Sequence, residues 1–368
     1  MKAKDLAKKL GVSPATISLV LNNKPGISDA LRKSLLEQIQ QLGCEKMLCE
    51  SCREGAAPGR QPPPPPPGNS CACKSIAYFI YHEHDYLEDM NDPYNFFSGV
   101  LEGIEAEAWE HDYCLMMLHA GRYKKATIDE QLRRAGNVAG VIVHPCTITE
   151  QISETVRGLP VPVVFMDSYT HSAWQPPSVC ISNSQGMHRV VRHLKELGHR
   201  RIGYVSSGWE SLLNVERRRC FREAMRDFGL STNQGDFFTA GEENGLLDHT
   251  SLSGDFRAAE SLPTALVCEN DRQAWRTIKA LQKIGLRVPE DVSVVGFDDQ
   301  QICTTIEPNI TTVHNSPQLM GRQCVQMLLN LLRLKELGEE PWLRYELPAR
   351  LVVRDSTGPA PGREPKAP

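Results

Sequence analysis

The sequence predicts a small all-α helix-turn-helix head joined to a larger α/β body of two lobes, and three observations carry that expectation. Residues 1 to 43 hold three short helical patterns and seven Lys/Arg against three acids, a net of +4, so the rest of the chain carries −8 of the total −4. Residues 44 to 74 hold five cysteines and an unbroken run from Pro62 to Pro67, without apolar periodicity. From Ser75 onward strand-sized apolar runs alternate with helical patterns, the βα rhythm of parallel, doubly wound sheets. A basic head on an acidic body suits a polyanionic partner at one end.

Taken in order, Lys2 to Leu10 places Leu6, Ala7 and Leu10 on one helical face. Gly11-Val12 breaks that helix. Ser13 is then an N-cap and Pro14 suits the first helical position of a second helix, which runs to about Asn22 with Ile17, Val20 and Leu21 inward. Ser28 caps a third, whose face is Leu31, Leu35, Leu36, Ile39 and Leu42, ending at Gly43. A short helix, a tight turn and a second helix with a polar outward face fit a major groove.

The proline stretch reads as a stiff extended spacer between domains. In the body, strands are expected at Ile76 to Tyr81, Cys114 to Leu118, Val138 to Val143, Val161 to Met166, Val179 to Ser182, Ile202 to Val205, Ala265 to Cys268 and Val292 to Gly296. Helices are expected near Phe97 to Glu110, Thr127 to Arg134, Ser184 to Leu197, Val215 to Phe228 and Asp271 to Ile284. Domain boundaries are placed at 1–43 (head), 44–74 (hinge and linker), 75–356 (body) and 357–368, a proline-rich tail expected to be disordered. No apolar run approaches the roughly 20 residues of a spanning helix. The charged first residues lack the apolar core of an export signal, so a cytoplasmic protein is expected.

The stretch Gly11-Val-Ser-Pro-Ala-Thr-Ile-Ser-Leu-Val-Leu-Asn22, with Ile27-Ser-Asp-Ala-Leu-Arg32 and Gln40-Gln-Leu-Gly43, resembles the head of the lactose/galactose repressor (LacI/GalR) family of transcription regulators. The likeness continues through Asn95 to Ile104, His193-Leu-Lys-Glu-Leu-Gly-His-Arg-Arg-Ile-Gly-Tyr204, Glu216-Arg-Arg-Arg-Cys-Phe-Arg222, Pro263 to Asp271, Val294-Val-Gly-Phe-Asp-Asp299, Ile310 to Val313 and Leu347 to Ser356. It implies a periplasmic-binding-protein-like body, a homodimer, and control of operator DNA by a small effector, most readily a sugar or related metabolite. By position it implies that Pro14, Ala15 and Leu19 face bases while Ser13, Thr16, Ser18, Asn22 and Ser28 contact phosphates. The apolar trio suits thymine methyls and lacks the bidentate bonds of strong base readout. It also implies effector contacts from Arg217, Asn270 and Asp298, joined by Asn183 and Phe96. A guanidinium, an amide and a carboxylate in one cleft suit a polyhydroxylated molecule, and Phe96, Trp174 or Trp209 offer stacking faces.

The departure lies at the hinge. Where the family has Tyr-x-Pro-Asn and a leucine that wedges into the minor groove, this chain has Cys44-Glu-Lys-Met-Leu-Cys-Glu-Ser-Cys-Arg-Glu54, with Arg53 in the wedge place. Cys49, Cys52, Cys71 and Cys73 have spacing that fits a tetrahedral zinc site, with Cys44 spare. An iron–sulfur cluster, redox thiols and thiols without a role are the alternatives; no cofactor is otherwise required. A small-molecule sensor that has lost specific DNA binding through this hinge is the alternative function. An enzyme lacks support, since G-x-S-x-G, H-E-x-x-H and P-loop patterns are missing from the sequence, and adjacent Asp298 and Asp299 are expected to face opposite ways.

Overall fold

The computed structural model describes residues 29–42, 74–81, 96–120, 128–143, 147–148, 150–170, 174–208, 211–240, 250–336 and 343–362. It also describes Leu6, Ala7, Lys9, Leu10, Val12, Ser13, Thr16, Ile17 and Val20. The chain forms two compact units, Met1–Cys71 and Ala72–Pro368.

In the first unit Leu6, Ala7, Ile17, Val20, Leu35 and Ile39 are buried against one another, with Leu10, Val12 and Leu36 packed around them. The expected inward residues among these thus meet in one core; Leu21 lies outside the described residues. The helix Asp29–Gln41 (α1) starts one residue after the expected cap. Leu31 and Leu42 depart from expectation: both are exposed, at 41% and 40%, because the stripe facing the small core is narrower than the run of leucines. Ser13 acts as the cap, its Oγ accepting from Thr16 N at 3.0 Å.

The body has two parallel sheets. The first lobe's sheet joins β1 (Lys74–Tyr81), β2 (Tyr113–Ala120), β3 (Val138–Val143), β5 (Val163–Met166), β7 (Ser178–Ile181) and β13 (Arg344–Leu347) in the order β13-β7-β5-β3-β1-β2. The second lobe's sheet joins β8 (Ile202–Ser206), β9 (Phe237–Thr239), β10 (Ala265–Cys268) and β11 (Ser293–Val295) in the order β11-β10-β8-β9. Alternation explains why the central strands are apolar on both faces. Ile76, Tyr78 and Ile80 of β1 face the main core while Ala77 and Phe79 face a second cluster; in β10, Ala265 and Val267 divide from Leu266 and Cys268 in the same way.

Every expected body strand is present, most shifted by one or two residues. The strand reading left out β9 and β13, and past Gly296 the structure also adds β12 (Thr312–His314), β14 (Arg350–Val352) antiparallel to it, and the 20-residue helix Pro317–Glu336 (α10). Two-residue β4 (Thr147–Ile148) and β6 (Tyr169–Thr170) pair with each other. The chain crosses between lobes three times: from β7 to the helix Asn183–Glu196 (α5), from β12 to α10, and from β13 to β14. Within the first lobe α10 lies against the helix Phe96–Glu110 (α2). A Cβ on Gly103 would collide with the carbonyl of Gln318, and one on Gly321 with that of Val100, so glycine is required for this approach. Glu107 locks the pair, accepting from Arg322 Nη1 at 2.7 Å and from Gln326.

The disordered tail expected from Thr357 does not begin there. Gly358 O accepts from His199 Nε2 at 3.0 Å, Gly358 N donates to Ser293 Oγ at 3.0 Å, and Ala360 N donates to Leu197 O at 3.0 Å. These bonds satisfy the otherwise buried ends of the second lobe's elements, so residues 357–360 belong to the body.

Candidate functional site between the lobes

Parallel strands leave their carboxyl ends open to ligands, and here those ends carry the polar residues. The helix Leu212–Asp227 (α6) is capped by Ser211, which accepts from Asn214 N. Its fifth and sixth residues follow from helical spacing: Glu216 turns outward to Arg219 at 2.7 Å while Arg217 turns inward and is buried. A buried guanidinium needs partners for its five donors. Arg217 Nε donates to Asn183 Oδ1 at 3.1 Å and Nη1 to the carbonyl of Glu269 at 2.6 Å; Nη2 lies 3.5 Å from Asp298 Oδ1. Its plane stacks on the Phe297 ring, 3.9 Å from the centroid.

Asp298 has φ 105°, a left-handed conformation that is costly for a residue with a Cβ. That turn splits the two acids as expected. Asp298 faces Arg217 and accepts from Asn315 Nδ2 at 3.0 Å, while Asp299 bonds His314 Nδ1 at 2.9 Å and Arg354 Nη2 at 2.6 Å. From the first lobe, the Tyr169 hydroxyl accepts from Asn183 Nδ2 at 2.8 Å, and the Tyr169 ring lies under Arg344, 5.2 Å from the centroid. Two of the chain crossings therefore place a side chain in the cluster, Asn183 and Asn315, while Arg344, at the start of β13, lies beside it over Tyr169.

Electrostatics follow from burial. It works against the charge on Arg217, but Asp298 and Asp167 outweigh it and hold the pKa above its ordinary value. Burial pushes the Asp167 carboxyl up to about 6, with Arg217 and the Ile181 N–H pulling the other way. Burial also raises Asp298 and Glu269. Asp271, the first residue of the helix Asp271–Lys283 (α8), is fully buried and is pushed up to about 8, although Thr312 Oγ1 and Gln300 N both donate to it.

Of the expected effector residues, the structure brings Asn183, Arg217 and Asp298 into bonding contact. Asn270 adjoins them through the Glu269 carbonyl, but its amide oxygen caps α8 by accepting from Gln273 N at 2.9 Å. Phe96 is half-buried at the start of α2, edge-on to Phe97 at 5.5 Å and packed on the main core. Trp174 packs on Phe165 and under Arg157, a structural role; Trp209 lies outside the described residues. Asp167, Tyr169, Glu269 and Asn315 belong to the cluster and went unnoticed in the sequence. Asp167 and Glu269 carry a local signal, each an acid directly following an apolar strand.

In the head, Ser13 and Thr16 share a 2.8 Å hydroxyl contact at the start of the second helix. Pro14, Ala15, Ser18, Leu19, Asn22 and Ser28 lie outside the described residues, as do Cys44, Cys49, Cys52, Cys71 and Cys73. Among the described residues no group of three or more His, Cys, Asp or Glu is placed to hold a metal ion, and no helix is long and apolar enough to cross a membrane.

Residues 2–44 match the family model described as bacterial regulatory proteins, lacI family, and residues 191–357 match the periplasmic binding protein-like domain. The transcriptional regulator MalR of Streptomyces coelicolor is 31% identical over 375 residues, covering 97% of each chain. The transcriptional repressor PurR of Vibrio vulnificus is 25% identical over 356 residues, covering 96% of this chain and 97% of its own. Among solved structures, a complex of the transcriptional regulator CelR with cellobiose has a TM-score of 0.63 at 22% identity, covering 97% of this chain and 99% of that one. The Lac repressor dimer bound to operator and the anti-inducer ONPF has a TM-score of 0.63 at 20% identity with the same coverage.

Proposed function

The chain belongs to the lacI family of bacterial regulatory proteins, and from that premise we propose that it is a cytoplasmic, homodimeric repressor of carbohydrate or small-metabolite genes, controlled by a polyhydroxylated effector held at Arg217. Two heads related by a two-fold axis read a pseudo-palindromic operator. Ser13, Pro14, Ala15, Thr16, Ser18, Leu19, Asn22 and Ser28 form its DNA face; Phe96, Asn183, Arg217, Asn270 and Asp298 line its effector site.

The observation that carries the effector reading is the convergence of Asn183, Arg217 and Asp298 where the chain passes between lobes. Hydroxyls of a ligand satisfy the same donors and acceptors, and replacing those bonds shifts the balance between lobe arrangements only as far as the ligand prefers one of them. Relatives known with sugars, such as CelR with cellobiose, support this class.

Gel shifts on the DNA upstream of its own gene, run across a salt series, test the DNA reading. A thermal-shift screen of neutral sugars identifies the effector. Arg217→Ala is expected to keep the DNA complex and to lose the response to that effector; an unchanged response overturns the site. The divergent Cys44–Cys73 hinge favours a second reading, a sensor without specific DNA binding, which holds if ligand binds and no specific complex forms at any salt. In that hinge we assign Cys49, Cys52, Cys71 and Cys73 to a structural zinc ion. Metal-free, colourless protein, purified anaerobically, that still binds operator overturns that assignment.

A further inference from the structure

Donor and acceptor roles along the seam are fixed by Arg217, which can only donate. A guanidinium has no acceptor, so the amide atom of Asn183 that faces Arg217 Nε at 3.1 Å is its oxygen. The amide nitrogen then faces the other way, where it meets the Tyr169 hydroxyl at 2.8 Å. Asn183 is 3% exposed, so in this arrangement water does not stand in for that acceptor. Burial raises the Tyr169 phenol well above its ordinary pKa of 10. The hydroxyl is therefore neutral, and Asn183 holds it through its oxygen.

This bond joins the two lobes. Tyr169 stands on β6, which pairs with β4 in the first lobe, and β6 lies against α6 of the second. Asn183 is the first residue of α5, where the chain enters the second lobe. Two further features frame the contact. Arg344 of β13 lies over the Tyr169 ring, 5.2 Å from its centroid, which steadies the ring from the first-lobe side. Glu216 of α6 is held below its ordinary pKa by Arg219 of its own helix, and Arg344 adds to that from across the seam.

We propose that the Tyr169 hydroxyl is a latch between the lobes: it orients Asn183 toward Arg217 and holds the lobes together until a ligand oxygen in the cleft takes its place on the Asn183 amide. Tyr169 is thus a positioning residue, acting on Arg217 through Asn183. The latch rests on reading the cleft as the effector site, but it is made of this chain's own side chains and is testable without a ligand.

Hydrogen–deuterium exchange of the full chain, Tyr169→Phe against wild type, is the test. Phenylalanine keeps the ring under Arg344 but leaves the buried Asn183 N–H without its acceptor while the lobes are together, a penalty that vanishes once parting lets water in. Peptides containing β4, β6 and the start of α5 are expected to exchange roughly fivefold faster or more. Peptides on β3 and β10, inside the two lobes, are expected to keep their rates. Asn183→Ala removes the other half of the same bond, and in that background Tyr169→Phe is expected to add no further acceleration. Unchanged exchange at β6 and α5, acceleration spread equally over β3 and β10, or the full Tyr169→Phe effect persisting beside Asn183→Ala each overturns the latch. These outcomes leave the effector reading standing, since that reading fails only if Arg217→Ala keeps its response to effector.

Discussion

The contact between α2 and α10 inside the first lobe and the polar seam between the lobes are built from opposite materials. In the helix pair, backbones meet directly: Gly103 lies on the Gln318 carbonyl and Gly321 on that of Val100. In the seam, side chains do the joining, from Tyr169 through Asn183 to Arg217 and on to Asp298 and Asn315. A backbone contact has no substitute and either fits or clashes. A side-chain hydrogen bond exchanges for a ligand's at a net cost of only about 1 kcal/mol. The lobes are thus rigid within themselves and exchangeable where they meet.

The strongest way to break this contrast is Gly321→Val. A branched side chain has no space at Val100, so a loss of about 3 kcal/mol or more is expected in urea denaturation of the body. A loss below about 1 kcal/mol means that the helix pair gives way, and the claim of rigidity fails.

Acidity sharpens the other side. The Asp271 carboxyl, ordinarily at 3.8, stands at about 8 when folded. The folded state therefore holds this proton more tightly than the unfolded chain between those values. Its contribution to stability is full below pH 4 and is lost as pH rises through 8. Asp271→Asn mimics the protonated form and is expected to flatten the decline by up to about 1.4 kcal/mol per pH unit. Asp167, at about 6, adds a decline that ends earlier. Identical pH profiles for Asp271→Asn and wild type, measured by denaturation from pH 4.5 to 8, refute the buried acid's role.

The smallest effect belongs to the head. Ser13→Ala removes the cap on Thr16 N and is expected to cost about 1 kcal/mol, seen as a lower melting point of the head transition with the body transition unchanged. A shift of both transitions would mean that the cap supports more than its own helix.

Much of the fold was legible because strand and helix periods are local. β3 and β10 begin and end where their apolar runs do, Val138–Val143 and Ala265–Cys268. Ser13 announced its cap by type and by the proline after it. The site was legible only in part. Arg217 and Asp298 stood out through resemblance, yet Tyr169 lies on a two-residue strand, too short for any period to register, and Asn315 looks like an ordinary polar residue at an element end. Leu31 and Leu42 misled for the converse reason, since helical spacing says which residues share a face but not how wide a core awaits them.

By itself, then, the sequence determined the basic three-helix head, the alternation of parallel strands and helices, the outward divergence of Asp298 from Asp299, and the family. These depend on neighbours within a few residues, where side-chain geometry repeats with the backbone. Only the tertiary structure decided that two chain crossings bring Asn183 and Asn315 to the cluster around one buried arginine, that His199 and Ser293 anchor residues 357–360, and that α2 needs glycine where α10 passes. Those outcomes join residues up to about two hundred positions apart, and no local periodicity encodes a contact whose two halves meet only after folding.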